Sequence, residues 1–299
     1  MADATIYGTI DAAYTSAKTA TTKTTSIGAT NNGNSAIGFK GSEDLGGGLK
    51  ASFQQEIGLS TDQNDTSYEN RNSFIGLSGG FGDVKIGRQY NFAFYNVIAN
   101  DPMGFSGVSG YVAALAGNPA RTSNMIAYTL PTIAAGVGIQ VGKALGETAT
   151  TTAAPTKTND STSWALTYTN GALYAGTTGE TVITTATTKT KNSSTTVIYD
   201  LGMVKVGIGM TKTALGAAYS KGSMTSISAP IGAVTAWYSS GDLKSATSAT
   251  SGETKTKGSQ YGFNYSLSKT TYAYVQSGKT STSATSYTNG YALGLIKAF

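Results

Sequence analysis

The chain has 299 residues, a net charge of +5, and neither cysteine nor histidine. These absences exclude disulfides and thiolate metal sites and remove the most common general base, so we expect no enzyme, no metal and no cofactor. The lysines are scattered among threonines, as in "TTKTT" (21–25), and form no compact basic stripe. We therefore expect no nucleic-acid partner.

The apolar residues never form a run that approaches the ~18 residues of a membrane helix. The longest weakly polar stretch is "YVAALAG" (111–117). The opening "MADATIYG" shows no basic and then apolar leader, so we expect no signal peptide and interpret it as a mature N-terminus behind an added Met1. Glycine is abundant at 38 residues and proline scarce at 5, which favours strands and turns over helices.

Apolar and polar residues alternate with period two in sixteen short segments, which predicts β-strands. In chain order the predicted strands are 4–14, 35–43, 48–60, 71–79, 82–90, 123–130, 136–145, 162–170, 172–178, 194–201, 204–213, 218–228, 232–240, 259–268, 271–279 and 290–299. Short connections alternate with long polar ones, the only exception being the short connection 214–217. This alternation predicts an antiparallel meander, and closure into a barrel would remove its free edges.

The apolar face of these strands carries too much aromatic bulk for a barrel interior. In "SQYGFNYSLS" (259–268), Tyr261 and Phe263 alternate with Gln260 and Gly262. A sixteen-stranded barrel is too wide for such side chains to fill, so we predict that the apolar face meets lipid and the polar face meets water. The alternative is a large soluble β-sandwich or solenoid with one wet face. It explains the strand pattern but neither the alternating connections nor a chain that ends on Phe299.

Several segments resemble the general porins of Gram-negative bacteria, most closely the beta-proteobacterial type. They are "ATIYGTIDAAY" (4–14), "IGFKGSEDLGGGLKASFQQE" (37–56), "RNSFIGLSGGFGDVKIGRQY" (71–90), "ARTSNMIAY" (120–128) and the terminal "GLIKAF" (294–299). Between about 146 and 289 only the strand rhythm supports the likeness. The resemblance implies an all-β fold, a single sixteen-stranded transmembrane barrel over 1–299. It also implies a homotrimer in the bacterial outer membrane that passes ions and small hydrophilic solutes by passive diffusion.

The resemblance further implies that the third long connection, 91–122, folds into the lumen and forms the pore constriction. Asp101 matches the acid of that loop in position, although a turn before Pro102 explains it equally well. Arg71 and Arg121 match two of three arginines on the opposite wall. The third position holds Ala36 here, which predicts a weaker cluster and a wider opening.

Strand phase adds three further charges to the expected lumen. Lys40, Lys50 and Glu56 all fall on the polar face, whereas Ile296 stands where the family often carries a basic residue. With Arg71 and Arg121 set against one loop acid, we predict weak to moderate anion selectivity.

The resemblance also assigns contacts outside the pore. Arg88 matches a residue that helps to join subunits, and the loop 61–70, with Asp65 and Glu69, matches one that latches over the neighbouring barrel. Phe299 matches the terminal aromatic of the assembly signal, at the strand that closes the barrel against the first. Lysines in the long loops are expected to attract anions or to bind the anionic lipopolysaccharide leaflet.

Two other functions remain open from the sequence. A substrate-specific outer-membrane channel would carry a ladder of aromatic or arginine side chains along the lumen, which strand phase alone cannot establish. A soluble β-rich binding protein or adhesin is the other alternative. A barrel enzyme of the usual Ser–His type is excluded because the chain has no histidine.

Overall fold

The protein is built almost wholly of β-strands. The computed structural model describes residues 3–28, 35–61, 69–103, 120–146, 158–185, 187–248, 250–283 and 287–299. Its elements are β1 (Asp3–Lys18), β2 (Lys23–Gly28), β3 (Ala36–Gly46), β4 (Leu49–Gly58), β5 (Glu69–Gly79), β6 (Gly82–Tyr90), α1 (Phe92–Ile98), β7 (Arg121–Thr129), β8 (Val137–Ala144), β9 (Ser161–Asn170), β10 (Leu173–Ile183), β11 (Lys189–Asp200), β12 (Lys205–Leu215), β13 (Ala218–Ile231), β14 (Val234–Ala246), β15 (Thr254–Ser268), β16 (Thr271–Thr282) and β17 (Tyr287–Ala298). No helix in the described part of the chain is long and apolar enough to cross a membrane.

The strands form one closed antiparallel sheet. Successive strands pair along the chain, and β17 returns to pair with β1. The segments β2 and β3 share one position in the wall, because the second half of β1 pairs with β2 and its first half with β3. The seventeen segments therefore make a sixteen-stranded barrel, which confirms the predicted fold class.

Several predicted boundaries were wrong at the end where the long connections lie. The predicted connection 15–34 contains the last part of β1 and all of β2, and 179–193 is largely strand. These stretches are rich in Thr and Lys and lack apolar alternation, so periodicity does not detect them. Threonine has a high strand propensity, and pairing with a neighbouring strand satisfies the backbone there.

The outer face of the wall is apolar and the inner face is polar, as predicted. Large apolar side chains are exposed on the outer face; examples are Ile75 and Leu293, each 62% exposed. Amide and hydroxyl side chains occupy the inner face, where Gln260, Gln276 and Thr196 are almost fully buried. A barrel with an apolar outside and a polar inside is the arrangement of outer-membrane barrels.

The barrel closes at a seam formed by the two ends of the chain. Gly8 and Phe299 exchange two backbone hydrogen bonds, each 3.0 Å long. A Cβ atom at Gly8 would overlap the Phe299 ring, so the glycine makes room for the terminal aromatic. The short turns lie at this end of the barrel, and glycines with positive φ at Gly171, Gly202 and Gly232 allow three of them.

Candidate functional site

A β-bulge places the first functional side chain. On the β4–β5 pair, Gln55 lies opposite Ser73 and Ile57 lies opposite Asn70, so β5 has one extra residue at Arg71 and Asn72. Bulges re-aim side chains within a sheet. Here the bulge brings Arg71 against Glu56, which lies on the inner face of β4, and Arg71 Nε donates a hydrogen bond to Glu56 Oε1.

Two arginines and two glutamates form one ion-pair cluster. Arg71 Nη1 lies 3.6 Å from Glu69 Oε2. Arg121 Nη1 lies 3.0 Å from Glu69 Oε1, and Arg121 Nη2 lies 3.8 Å from Glu56 Oε1. Each guanidinium therefore lies near both carboxylates, and the cluster joins β4, β5 and β7.

Two tyrosines add hydrogen bonds to the cluster, in which the buried Arg121 Nε has no hydrogen-bond partner among the described residues. The Tyr90 hydroxyl accepts from Arg121 Nη2 at 3.1 Å and from Arg71 Nη2 at 3.4 Å. The Arg121 guanidinium also lies 4.6 Å from the centre of the Tyr90 ring, a cation–π contact. On the other side Tyr7 donates to Glu56 Oε2 at 2.9 Å. These contacts hold both arginines in one orientation.

The charges of this cluster compensate one another. The side chains of Arg71, Arg121 and Glu56 are at most 10% exposed, whereas that of Glu69 is 54% exposed. Two guanidinium charges meet two carboxylates, so Arg71 and Arg121 are not the isolated positive charges on which the selectivity prediction depended. Removing one partner of such a buried pair leaves an uncompensated charge, which is strongly destabilising.

Lys40 and Lys50 carry positive charge on the inner face without such compensation. Both side chains are exposed; on the neighbouring strand Lys40 lies opposite Gln54, and Lys50 lies opposite Asp44. The Lys40 ammonium lies 4.9 Å from the centre of the Tyr7 ring. Within the described part of the chain neither lysine has an ion-pair partner within 4.0 Å. They therefore add exposed positive charge to the inner face, Lys50 six residues along β4 from Glu56 of the cluster.

Asp101 occupies a buried turn. Its side chain is 6% exposed, and its Oδ1 atom accepts a hydrogen bond from the Met103 backbone at 3.1 Å. This is the turn around Pro102 that formed the alternative interpretation of this residue. This hydrogen bond fits the turn, and the role of Asp101 at the pore constriction stays a prediction.

The two positions that depart from the family pattern are both buried. Ala36 lies opposite Gly58, whose neighbours are the side chains of Glu69 and Arg71. The position of the expected third arginine thus adjoins the cluster. Ile296 packs against Ala292 and other inner-face residues in an apolar cluster.

The helix α1 is fixed by three asparagines that sequence analysis did not single out. Asn91 caps the helix, accepting from the Ala93 backbone, and donates to Glu180 at 3.0 Å. Asn96 donates to Ser194 at 2.9 Å. Further along, the Asn100 side chain accepts from the Ser226 hydroxyl at 2.8 Å. The helix thereby contacts strands from β9 to β12, and the residues after it reach β13.

Glycines on the facing strands leave the space that these asparagines fill. A Cβ atom at Gly176 would overlap the Asn96 amide, and one at Gly207 would overlap the Asn100 amide. Asn91 before an apolar run is a helix-start signal that the sequence offered. The matching glycines looked like ordinary members of an alternating strand, so their role was visible only in the structure.

The residues expected at a subunit contact have different positions. Arg88 is on the outer face, where it donates to the Asn70 carbonyl at 2.7 Å and to the Ser123 hydroxyl at 2.8 Å. Glu69 is engaged by Arg71 and Arg121 of its own chain. Asp65 lies outside the described residues, as does the loop stretch 62–68. The subunit contact stays a prediction.

Across the described ranges, no three carboxylate side chains lie close enough together to hold a metal ion.

Sequence comparisons give two findings. A family model described as Gram-negative porin matches residues 1–285. The major outer membrane protein P.IB of Neisseria meningitidis (serogroup B / serotype 15, strain H44/76) is 47% identical over 95 residues. That stretch covers 29% of this chain and 28% of the relative, so the alignment spans less than a third of either protein.

Solved structures match over the whole length. The anion-selective porin from Comamonas acidovorans superposes with a TM-score of 0.88 at 22% identity and covers 100% of both chains. The trimer form of OmpT, an outer membrane protein of Vibrio cholerae, has a TM-score of 0.77 at 12% identity, covering 100% of this chain and 99% of that one. At these identities the likeness shows the fold.

Proposed function

Since the chain belongs to the Gram-negative porin family, we propose that it forms a water-filled channel for passive diffusion of ions and small hydrophilic solutes, with no catalytic activity. The protein is a multi-pass β-barrel of the outer membrane. The observation that carries the proposal is that the closed sixteen-stranded wall has a polar inner face. A barrel of that strand number leaves an aqueous interior.

Planar bilayers test the channel directly. Purified protein added at low concentration should produce stepwise increases in conductance. Heat-denatured protein from the same preparation is the matched control. Correctly folded barrel, judged by its faster migration on an unheated gel, that produces no steps would overturn the proposal.

We propose that the connection 91–122 folds into the lumen and narrows it. The support is the position of its first part: α1 contacts β9 to β12, and Asn100 hydrogen-bonds to Ser226 on β13. A segment that leaves β6 and reaches β13 must cross a large part of the barrel. Residues 104–119 lie outside the described part of the chain.

The proposed selectivity is weakly to moderately in favour of anions. Lys40 and Lys50 supply exposed positive charge, while the charges of Arg71 and Arg121 are offset by Glu56 and Glu69. The structural relative from Comamonas acidovorans is described as anion-selective, which agrees with this direction. A compensated arginine cluster explains why the expected preference is modest.

We further propose a homotrimer, with outer-membrane lipid and lipopolysaccharide around it. The OmpT relative is described in a trimer form, and Arg88 lies on the outer face where a neighbouring barrel could meet it. Lysines near the long connections would face the anionic leaflet.

A substrate-specific channel is the second candidate function, and one cavity favours it. About 330 Å³ of space lies between α1 and the wall. Its lining includes the aromatic side chains of Tyr90, Tyr95 and Tyr174 together with the amides of Gln89 and Gln140. Aromatic faces with amide groups suit polyhydroxylated solutes. Blockage of ion current by one sugar at millimolar concentration, and not by its isomers, would favour this function over general diffusion.

A further inference from the structure

Four lysines lie side by side across four neighbouring strands. Lys212 on β12 lies directly opposite Lys221 on β13, Lys221 opposite Lys244 on β14, and Lys244 opposite Lys255 on β15. All four side chains are exposed. Like charges placed directly opposite one another destabilise a sheet, and an anion bound on this lysine row would offset that repulsion.

The lysine row lies on the outer face of the barrel. Tyr238 and Tyr261 are paired with each other, are exposed, and lie six residues from Lys244 and Lys255 on their respective strands. An even spacing along a strand means the same face. The row therefore continues the apolar outer surface towards the long connections, the end that is extracellular in barrels of this class.

Two more lysines lie between the row and the aromatic residues. Lys257 on β15 is opposite Asp242 on β14, and Lys279 on β16 is opposite Ser259 on β15. Both lysines are exposed. Lys257 is an even number of residues from Tyr261, and Lys279 is an even number of residues from Ser277, which pairs with Tyr261. Both lysines are therefore on the outer face. The basic surface thus extends down to the edge of the aromatic band.

Acidic side chains compensate this surface only in part. Among the described residues of β12 to β16 and their connections at this end, the acids on the outer side are Asp242 and Glu253. Asp242 accepts from the Ser223 hydroxyl at 2.8 Å, and Glu253 lies 3.7 Å from the Lys255 ammonium. Six lysines against two acids leave an excess of positive charge.

Two open grooves lie on the same surface. One groove of about 640 Å³ is lined by Tyr238, Lys257, Lys279 and neighbouring Ser and Thr residues. A second, of about 420 Å³, is lined by Lys212, Lys221 and Lys244. Asp242 and Ser223 line both grooves, so the two adjoin. Hydroxyl groups beside ammonium groups can hydrogen-bond to phosphate oxygens.

We propose that this surface is a binding site for a multiply phosphorylated lipid of the outer leaflet. Its phosphates lie against the lysine row, Lys257 and Lys279, and its acyl chains lie on the aromatic band that begins at Tyr238 and Tyr261. Charge complementarity and the direct continuity of basic and apolar surface identify the ligand as an anionic amphiphile. The site depends on the outer-membrane setting and not on the proposed pore charges.

A second copy of the chain is the competing occupant. The proposed subunit contact at Arg88 is on β6, and β12 to β15 lie on the far side of the closed wall. In a trimer whose subunits meet at the β6 side of each barrel, the lysine row faces lipid. The test must still distinguish the two occupants.

The test compares two lysine pairs that differ only in their surroundings. Lys221→Gln with Lys244→Gln removes the centre of the row. Lys18→Gln with Lys23→Gln removes another exposed pair, which is also directly opposite across β1 and β2. Native mass spectrometry of detergent-solubilised protein would measure retained bis-phosphorylated lipid A and its dephosphorylated form.

The wild type should retain the phosphorylated lipid and not the dephosphorylated one. The Lys221/Lys244 variant should lose at least tenfold in affinity, since each lysine near an anionic lipid surface contributes several-fold. The Lys18/Lys23 variant should stay within twofold, and Lys221→Arg with Lys244→Arg should restore binding. Gel mobility before heating confirms that each variant is folded.

Three results would overturn the proposal. Equal losses in the two Gln pairs would mean diffuse attraction with no site. Equal retention of both lipids would mean that the phosphates do not matter. A Lys221/Lys244 variant that dissociates into monomers while keeping its lipid would assign the surface to a subunit interface.

Discussion

Arg71 and Glu56 face each other across the β4–β5 pair because the bulge in β5 turns the arginine towards the carboxylate. The pair is nearly buried, and Arg121 and Glu69 join it. Arg71 and Arg121 are therefore held in a compensated cluster on the inner wall, and Lys40 and Lys50 add exposed positive charge elsewhere on that wall. This division of charge sets the expected effects of substitution.

Replacing both arginines should move selectivity towards cations. Arg71→Ala with Arg121→Ala leaves Glu56 and Glu69 uncompensated on the inner wall, so the reversal potential in a salt gradient should shift to the cation side. The loss of two buried partners should also lower stability, by about 3 kcal/mol or more. Urea unfolding measures that cost.

The matched control for this double variant is Arg88→Ala. Arg88 is on the outer face, so its removal should leave the reversal potential unchanged. Glu56→Gln should shift the potential in the opposite direction, towards anions. An unchanged potential in the double arginine variant would mean that the cluster does not face the ion path.

Removing the two inner-face lysines should weaken anion preference. Lys40→Gln with Lys50→Gln deletes exposed charges that lack ion-pair partners, so stability should change by less than about 1 kcal/mol. The reversal potential should move towards zero. Lys297→Gln on the outer face is the control. A double lysine variant as anion-selective as the wild type would remove these residues from the account.

Releasing α1 should make the conductance noisier and larger. Asn96→Ala with Asn100→Ala removes the hydrogen bonds to Ser194 and Ser226, each contributing about 1 kcal/mol. Single-channel recordings should show added sublevels or a greater mean conductance. The exposed Asn170→Ala, at the short-turn end, should behave as the wild type. Quiet, unchanged recordings from the double variant would show that these asparagines do not fix the segment.

The barrel could be predicted from the sequence because the patterns that indicate it lie within short stretches of the chain. Period-two alternation, exposed aromatics such as Tyr261 and alternating connection lengths determine strand number, direction and face. The inward face of Lys40, Lys50 and Glu56 also followed from their position in the alternation. Alternate residues of a strand point to opposite faces, so the face of a residue can be assigned without knowing how its strand pairs with its neighbours.

The same reasoning could not predict the charge balance of the arginine cluster. The ion pair of Arg71 with Glu56 depends on a bulge, and that of Arg121 with Glu69 depends on the register of three strands. The space above Gly176 and Gly207 depends on where Asn96 and Asn100 meet strands about 80 and about 107 residues away in the chain. Such contacts are products of closure and leave no periodic trace in the sequence.

Deleting Phe299 should impair assembly more than conductance. The deletion removes two backbone hydrogen bonds to Gly8 and the ring that packs over it at the seam. Folded protein in the outer membrane should fall severalfold, while the few channels that form should conduct normally. Phe299→Tyr, which keeps an aromatic at the interface, is the control. Normal outer-membrane levels of the truncated protein would contradict this role.

The proposed homotrimer should persist in mild detergent. Light scattering coupled to size exclusion should give three times the mass of one chain, and Arg88→Glu should lower it by reversing a charge on the outer face. Lys297→Glu, which changes the outer face near the other end of a different strand, should keep the trimer. A wild-type protein that runs as a folded monomer would contradict the assembly.

Single-channel recording across a tenfold salt gradient tests the central claim most directly. The account predicts stepwise conductance with a reversal potential on the anion side and of modest size, because Lys40 and Lys50 are exposed outside any ion pair of the described residues while both arginines are paired. A folded wild-type protein that gives no steps, or one whose reversal potential lies on the cation side, would contradict it.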